Sequence, residues 1–305
     1  MIEAKVICDS ISKDSPRLTT FQLRYPKWIH QEFLTHRMFS RNASSSRAIP
    51  VEKNLREVSS KELRVTPSVF TSEQRGMSGG SELSEDALAR AHEIWSHAAS
   101  DASYHAKRLS SVRVHKSIVN RLIEPFLHVN VICTAVERAY LNFLGLRLDK
   151  AAQPEIRILA ETMWREWSES KIQKLDSGQW HLPFCSDEDL FNGTPWRDLT
   201  LENLRKVSAA RCARVSYLSF ETNKRSTIEE DLNLFERLAG SSPMHLSPLE
   251  HQATPDELVD DGQELYWRHG HEHGNLHGWR QYRKIIPNEA VAPLPGSYSY
   301  SRQGT

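Results

Sequence analysis

Thr35-His36-Arg37-Met38-Phe39-Ser40-Arg41-Asn42-Ala43-Ser44-Ser45-Ser46-Arg47 is the stretch on which the reading of this chain turns. It crowds arginines, a histidine, an asparagine and several hydroxyls into a segment with little apolar content. The simplest use for that chemistry is binding a phosphorylated ligand. Arginine's planar fork makes bidentate, charge-assisted bonds to phosphate, and hydroxyls with backbone N–H groups complete the oxygen shell. Taken alone, the run leaves an ordinary solvated loop open, because Ser, Asn and Arg are common there too.

Working outward, Leu18 to Tyr25 alternates apolar and polar side chains and predicts a strand that Pro26 ends. Trp28, Ile29, Phe33 and Leu34 fall at helical spacing, which places His36 and Arg37 near the end of a helix. Residues 41–82 are polar, contain Pro50, Pro67, Gly76, Gly79 and Gly80, and read as loop with short helices; such length suggests a substrate-covering or interface loop. Ser84 to Leu109 predicts a helix capped at Ser81 or Ser84, in which Trp95, Tyr104, His92, His97 and His105 serve packing, with no metal-ligand spacing among them. Val119 to Val131 and Thr134 to Leu146 read as two further apolar helices, and Ile156 to Trp167 as another, so a helical core is expected. Trp180 to Trp196 is a connection. Ala209 to Phe220 is open between strand, favoured by Val215 and Tyr217, and helix, favoured by its alanines. Ser226 or Thr227 caps a helix from Ile228 to Leu238, with Glu229 and Glu230 in its first turn and Gly240 stopping it. The tail from Pro293 is expected to be poorly ordered unless a neighbouring subunit holds it.

Three more segments share the character of the first. They are Asn120-Arg121-Leu122-Ile123-Glu124-Pro125, continuing through Asn142-Phe143-Leu144-Gly145-Leu146-Arg147 to Gln153, Glu155 and Ile156; Ala210-Arg211-Cys212-Ala213-Arg214-Val215-Ser216-Tyr217; and His245-Leu246-Ser247-Pro248-Leu249-Glu250-His251. Together the four resemble the motifs of the flavin-dependent thymidylate synthase family. In that family the last two precede the first two, so this chain resembles a circular permutation, which is allowed where the original termini lie close together. The resemblance covers well over half the chain, and residues 51–82, 170–200 and 253–305 have little or no counterpart.

That resemblance implies an α+β fold with a helical core and flanking β-sheet, circularly permuted, in which residues 1–305 form a single catalytic domain. Residues 51–82 would be a loop-rich insertion and 253–305 a divergent C-terminal extension. It implies FAD as cofactor, methylenetetrahydrofolate and NADPH as co-substrates, and reductive methylation of dUMP to dTMP, with a homotetramer as the expected assembly. By resemblance, Arg47 and Arg121 contact the nucleotide phosphate, Ser45 and Ser46 bind the nucleotide, and Glu32 lies in its pocket. Arg147 faces the pyrimidine as the catalytic group, stabilising negative charge as the ring is activated. His36, Arg37, Asn42 and Arg138 fall to the flavin environment, as do Asn142, Ser247 and Glu250; His245 lies near folate and flavin. Ser45 lacks an activating base and is cast as a ligand, not a nucleophile.

Local readings stand beside these roles. Arg121, on a stretch read as an otherwise apolar helix, could instead pair with Glu124 or with a residue of the long helix before it, Arg147 could offset helix-end carbonyls, and Ser247 with Glu250 could be a capping box. Departures from the family pattern are Thr35 for an arginine, Ala43 for a glutamate, Ala48 for a tyrosine, Glu32 for a glutamine and Ala151 for a histidine. A carboxylate accepts from an exocyclic amine, so Glu32 raises a cytosine nucleotide such as dCMP, methylated or hydroxymethylated, as an alternative. A nucleotide-binding protein without catalysis is the alternative from another class.

The 305 residues are 39% hydrophobic, enough for one large core or two modest ones. Lys plus Arg and Asp plus Glu both number 39, and this zero balance argues against a general nucleic-acid-binding coat. A basic region at Arg205, Lys206, Arg211 and Arg214, and an aromatic one from His277 to Lys284, are the places where direct nucleic-acid binding would otherwise be sought. Cys8, Cys133, Cys185 and Cys212 form no CxxC pair, and no apolar run reaches 18 residues, so a cytoplasmic, non-membrane protein with reduced thiols and no metal is expected. Cys133 and Cys212, among apolar neighbours, read as small core residues.

Overall fold

The computed structural model describes residues 1–76, 79–185, 200–216, 226–241 and 243–290. At its centre is a five-stranded sheet of β1 (Glu3–Ile11), β2 (Leu18–Pro26), β3 (Ser40–Ala43), β4 (His128–Val136) and β5 (Gln173–Lys174). The strand order is β3-β4-β2-β1-β5, antiparallel except for the β1–β5 edge pair. β2 lies where its alternation and Pro26 put it.

β4 corrects the expectation of a helix across Val119 to Val131. That region is a short helix α4 (Lys116–Val119), two 3-10 turns (Asn120–Leu122 and Glu124–Phe126) and then the central strand. β4 is buried on both faces for most of its length, so apolar side chains occupy both of them, and such a run has the same appearance in a buried helix. The core is therefore built on the sheet, with helices covering it, and is not itself helical.

One sheet face carries Phe21, Leu23, Tyr25, Val129, Val131 and Cys133. Against it pack α5 (Glu137–Arg147) through Tyr140 and Phe143, α6 (Pro154–Glu169) through Leu159, Met163 and Trp167, and the short α1 (His30–Leu34) through Phe33. The opposite face presents Leu18, Thr20, Ile132, Thr134 and Val136. It receives Cys212 and Val215 from one segment, and Leu175, Ala253, Leu276 and Trp279 from others.

α2 (Val51–Ser59) and α3 (Glu85–Ser111) form a satellite cluster with Val119, Ile123 and Phe126. Ser84 caps α3. Among the described residues between α2 and α3 the chain is largely irregular, with a bridge between Thr71 and Glu82. α7 (Leu201–Ala213) continues into a 3-10 turn at Arg214–Ser216, which settles the open choice over 209–216 in favour of helix; Tyr217 lies outside the described residues. α8 (Ile228–Ala239) has the expected Thr227 cap, with Glu230 completing a capping box, and ends at Gly240. The C-terminal region adds the paired strands β6 (Ala253–Pro255) and β9 (Trp279–Gln281), the hairpin β7 (Leu258–Asp260) and β8 (Leu265–Trp267), and α9 (Tyr282–Ile285). The expected disordered tail from Pro293 falls outside the described residues. Cys133 and Cys212 are fully buried. No helix among the described residues is long and apolar enough to cross a membrane.

Candidate functional site

The leading stretch begins where β2 ends. After a 3-10 turn at Lys27–Ile29, α1 is held by Ile29 and Phe33 in the core, and Arg41 staples the turn beyond it by donating to the carbonyls of Leu34 (2.8 Å) and His36 (3.3 Å). This geometry turns Glu32 and His36 toward the last turn of α5. There Arg147 donates from Nε to His36 Nε2 at 3.0 Å, and from Nη1 to Glu32 Oε1.

Burial, with Arg147 and Arg41 adding to it, lowers the His36 pKa to about 4. The imidazole is therefore neutral at pH 7, and since Nε2 accepts, Nδ1 carries the proton. Its ring packs edge-on against Phe143 (4.9 Å) and stacks on Phe39 (5.8 Å). Thr35, Arg37, Met38, Asn142 and Leu146 complete a cleft of about 190 Å³ around this group. His36, Arg37, Asn142 and Arg147, distant in sequence, thus line one cleft, and Glu32 joins it through its ion pair with Arg147. Arg138 is exposed one turn earlier on α5.

A second cluster gathers Ser46 and Arg121. Ser46 Oγ bonds both Lys27 Nζ and Glu124 Oε1, Lys27 Nζ lies 2.6 Å from the same carboxylate oxygen, and Arg121 Nη1 lies 3.1 Å from its neighbour Oε2. Asn120, fully buried, donates to the carbonyls of Ser46 (2.8 Å) and Ile49 (3.0 Å), and Lys116 donates to that of Ala48 (2.9 Å). The Ser45–Ile49 loop is thereby pinned to the turn that carries Arg121. Arg47 is exposed on this loop, and Ser45 Oγ accepts from its backbone N–H at 3.2 Å. Arg121 itself is not the buried arginine of an apolar helix: it sits in a 3-10 turn, its side chain 62% exposed, and takes the Glu124 pairing. Lys27 and Glu124 have no distinguishing signal in sequence, except that Glu124 stands three residues from Arg121.

The third and fourth segments close on β3. Asn42 Nδ2 donates to the Cys212 carbonyl at 2.8 Å, and its Oδ1 accepts from Ser247 Oγ at 3.3 Å. Ser247 and Glu250 belong to a 3-10 turn without a side-chain cap bond, so the capping-box reading is not what forms. Glu250 is engaged by Arg283, which with Lys284 also holds Glu289. His245 is exposed and is anchored through its backbone to Leu238.

The basic region is largely taken up internally. Fully buried Asp231 accepts from Arg211 Nε (3.0 Å) and Arg214 Nε (2.8 Å), Lys206 pairs with Glu202 and Glu236, and Arg205 lies over the rings of Trp180 and Tyr282. Trp279 and Tyr282 are buried in the core and offer no exposed ring faces for stacking bases.

The family described as thymidylate synthase complementing protein matches residues 18–170, just over half of the 305 residues. The match takes in the first and second motif segments and stops short of the third and fourth. Among solved structures, the UMP/dUMP methylase PolB from Streptomyces cacaoi bound with 5-Br dUMP is similar at 17% identity over 55% of this chain and 90% of that one, with a TM-score of 0.46. The same methylase bound with 5-Br UMP gives 17% identity, 55% and 89% coverage, and a TM-score of 0.47. No curated protein matches the chain.

Proposed function

The chain belongs to the thymidylate synthase complementing protein family, whose frame is enzymatic pyrimidine nucleotide chemistry, and within it we propose that this protein reductively methylates dUMP to dTMP. The observation that carries the reading is that Arg147, lining the cleft beside His36, is held by both His36 and Glu32. Arg147 there can donate to a pyrimidine carbonyl, and a preorganised guanidinium beside a ring that gains negative charge lowers the barrier to forming the new carbon–carbon bond. Neutral His36 orients that guanidinium through Nε, and Phe39 and Phe143 fix the imidazole in turn. The Ser45–Arg47 loop and Arg121 supply the phosphate side.

The donor set fits a flavin dinucleotide in chemistry: Arg37, Arg138 and Asn142 are exposed cations and an amide at or near the cleft, and Asn42 with Ser247 adds hydroxyl and amide groups. When bound, FAD would supply the hydride that turns a carbon from methylenetetrahydrofolate into a methyl group, with NADPH restoring its reduced state. A cleft of about 190 Å³ holds a ring, not a whole dinucleotide. Leu34, Met38, Leu141, Leu146 and Leu148 are exposed on the elements that form it. Both features support a homotetramer in which a second copy completes the site.

The close contacts of Asn42 with Cys212 and Ser247 support circular permutation, because the segments that come last in the chain reach the first. Glu32 favours one second reading, dCMP as substrate, since its carboxylate can accept from the exocyclic amine. Purified protein with a flavin absorbance spectrum, incubated separately with dUMP and dCMP plus methylenetetrahydrofolate and NADPH, tests both by product analysis. Nucleotide binding without flavin or product would leave the non-catalytic reading.

A further inference from the structure

We propose that Lys27 is a phosphate ligand of this site and that Glu124 is an internal anion holding its place; the inference rests on the nucleotide reading above. Three donors of different origin converge on one carboxylate. Lys27 comes from the turn after β2, Ser46 from the loop after β3, and Arg121 from the turn before β4. An ammonium, a hydroxyl and a guanidinium around a single anion make a typical phosphate shell.

The surroundings are cationic beyond what Glu124 neutralises. Arg47 follows Ser46 on the pinned loop, and Lys116 reaches the Ala48 carbonyl. The Arg121 side chain is largely exposed, so the cluster opens to solvent on that side, while Lys27 and Glu124 are mostly covered. The neighbouring cations hold the Glu124 carboxyl below its ordinary range, against burial that pushes it up. An entering phosphate brings up to two negative charges and more acceptor oxygens, and can replace the carboxylate on all three donors.

The position suits a nucleotide. Lys27 opens the turn and helix 27–34 and Glu32 follows five residues later, roughly 8 Å along the axis by helical rise. Lys27 faces the phosphate cluster, and Glu32 meets Arg147 of the cleft. A pyrimidine nucleoside monophosphate has comparable reach between its phosphate and its base edge.

The test uses the full-length protein and isothermal titration with dUMP, deoxyuridine and inorganic phosphate. Glu124→Gln keeps shape and removes the competing charge. It should tighten dUMP and inorganic phosphate by about tenfold, the equivalent of one charge-assisted hydrogen bond, and leave deoxyuridine unchanged. Lys27→Met should weaken the two phosphate-bearing probes by about the same factor. Glu124→Asp, with a shorter reach, should fall between wild type and Glu124→Gln. Inorganic phosphate separates this inference from the proposed function: if phosphate binding responds to the variants while dUMP is not bound, the anion site stands and the nucleotide reading fails. Unchanged or weaker phosphate and dUMP binding in folded Glu124→Gln, or unchanged binding in Lys27→Met, would overturn the proposal.

Discussion

Replacing Arg147 with alanine separates chemistry from folding more cleanly than any other change in the cleft. Arg147 donates to His36 and to Glu32, and both acceptors keep some access to water or to neighbouring groups: the Glu32 side chain is 29% exposed and His36 is neutral. The stability cost should be on the order of 1 kcal/mol, a fall in Tm of roughly 2–4 °C, and small beside the ~5–15 kcal/mol that holds a typical domain. Ligand binding should suffer more. Losing one charge-assisted hydrogen bond to a pyrimidine carbonyl costs about 1.5–3 kcal/mol, or roughly 10- to 150-fold in dUMP affinity. Because the contact strengthens as the ring gains charge, single-turnover methyl transfer at saturating dUMP should fall as well, while flavin reduction by NADPH should survive more fully. Arg47→Ala, on the exposed loop, should weaken dUMP binding with little loss in the saturated rate. A folded Arg147→Ala protein with normal dUMP affinity and normal single-turnover transfer would show that the active site lies elsewhere.

Glu32→Gln should move the product ratio toward dTMP when dUMP and dCMP compete at equal concentration; an unchanged ratio would remove Glu32 from specificity. Asp231→Ala leaves Arg211, Arg214 and Ser226 without their shared buried acceptor, so about 3–5 kcal/mol and roughly 6–20 °C of Tm should be lost, and a shift under about 2 °C in scanning fluorimetry would refute that clamp. Burial holds His30 and His36 near pKa 4, and His181 and His251 near 3, against 6.5 unfolded. The unfolded chain therefore binds more protons below pH 6.5, so stability should be fully present above that pH and fall as pH drops toward 4. Each histidine contributes roughly 2 kcal/mol of loss between pH 7 and 5. Unfolding midpoints in urea that stay flat over that range would contradict the neutral assignment of these rings.

Much of this architecture could be read locally. β2 alternates Phe21, Leu23 and Tyr25 with Gln22 and Arg24, α8 carries its capping box, and α3 has its Ser84 cap, each signal lying within a few residues of the element it defines. β4 could not be read so, because Val131 with Cys133 and Ile132 with Val136 put apolar side chains on both of its faces and the alternation is lost. Strands of three residues such as β6 and β9 hold too few side chains to show a period at all. The site divides in the same way. His36 and Arg37 were placed by the apolar spacing of the preceding helix, whereas the pairing of Arg147 with Glu32 spans 115 residues and that of Lys27 with Glu124 spans 97. Local sequence puts Glu229, Glu230 and Asp231 near Arg211 and Arg214 without telling which arginine is already matched; the structure gives both to Asp231.

The second face of the sheet explains how segments so far apart in the chain come to share one site. Thr20 on β2 stands opposite Thr134 on β4, and Thr134 opposite Ser40 on β3, so hydroxyls run across three strands in one row. Thr20 and Thr134 bond each other at 2.7 Å. His181 docks on Thr20 (2.8 Å) and on Ser10 of β1 (2.9 Å), His251 on Thr134 (2.8 Å), and Gln281 with Asn275 on Ser40 (3.2 and 3.0 Å). An apolar face would accept a covering segment in several registers. Directional bonds in a dry interior accept far fewer, because a one-residue slip would bury these hydroxyls and imidazoles unpaired, at about 1–3 kcal/mol each. His181 and His251 therefore locate the later segments against β2 and β4, and with His251 fixed, the preceding Ser247 turn is held against Asn42 on β3. The row also couples stability to the site: Thr134→Val should take one partner from Thr20, which keeps His181, and the Nδ1 partner from His251, lower the urea midpoint, and loosen the Asn42–Ser247 contact, so that amide exchange at residues 42–44 speeds up together with that at 247–252. Faster exchange in only one of those two segments would mean that the hydroxyl row does not hold them in common.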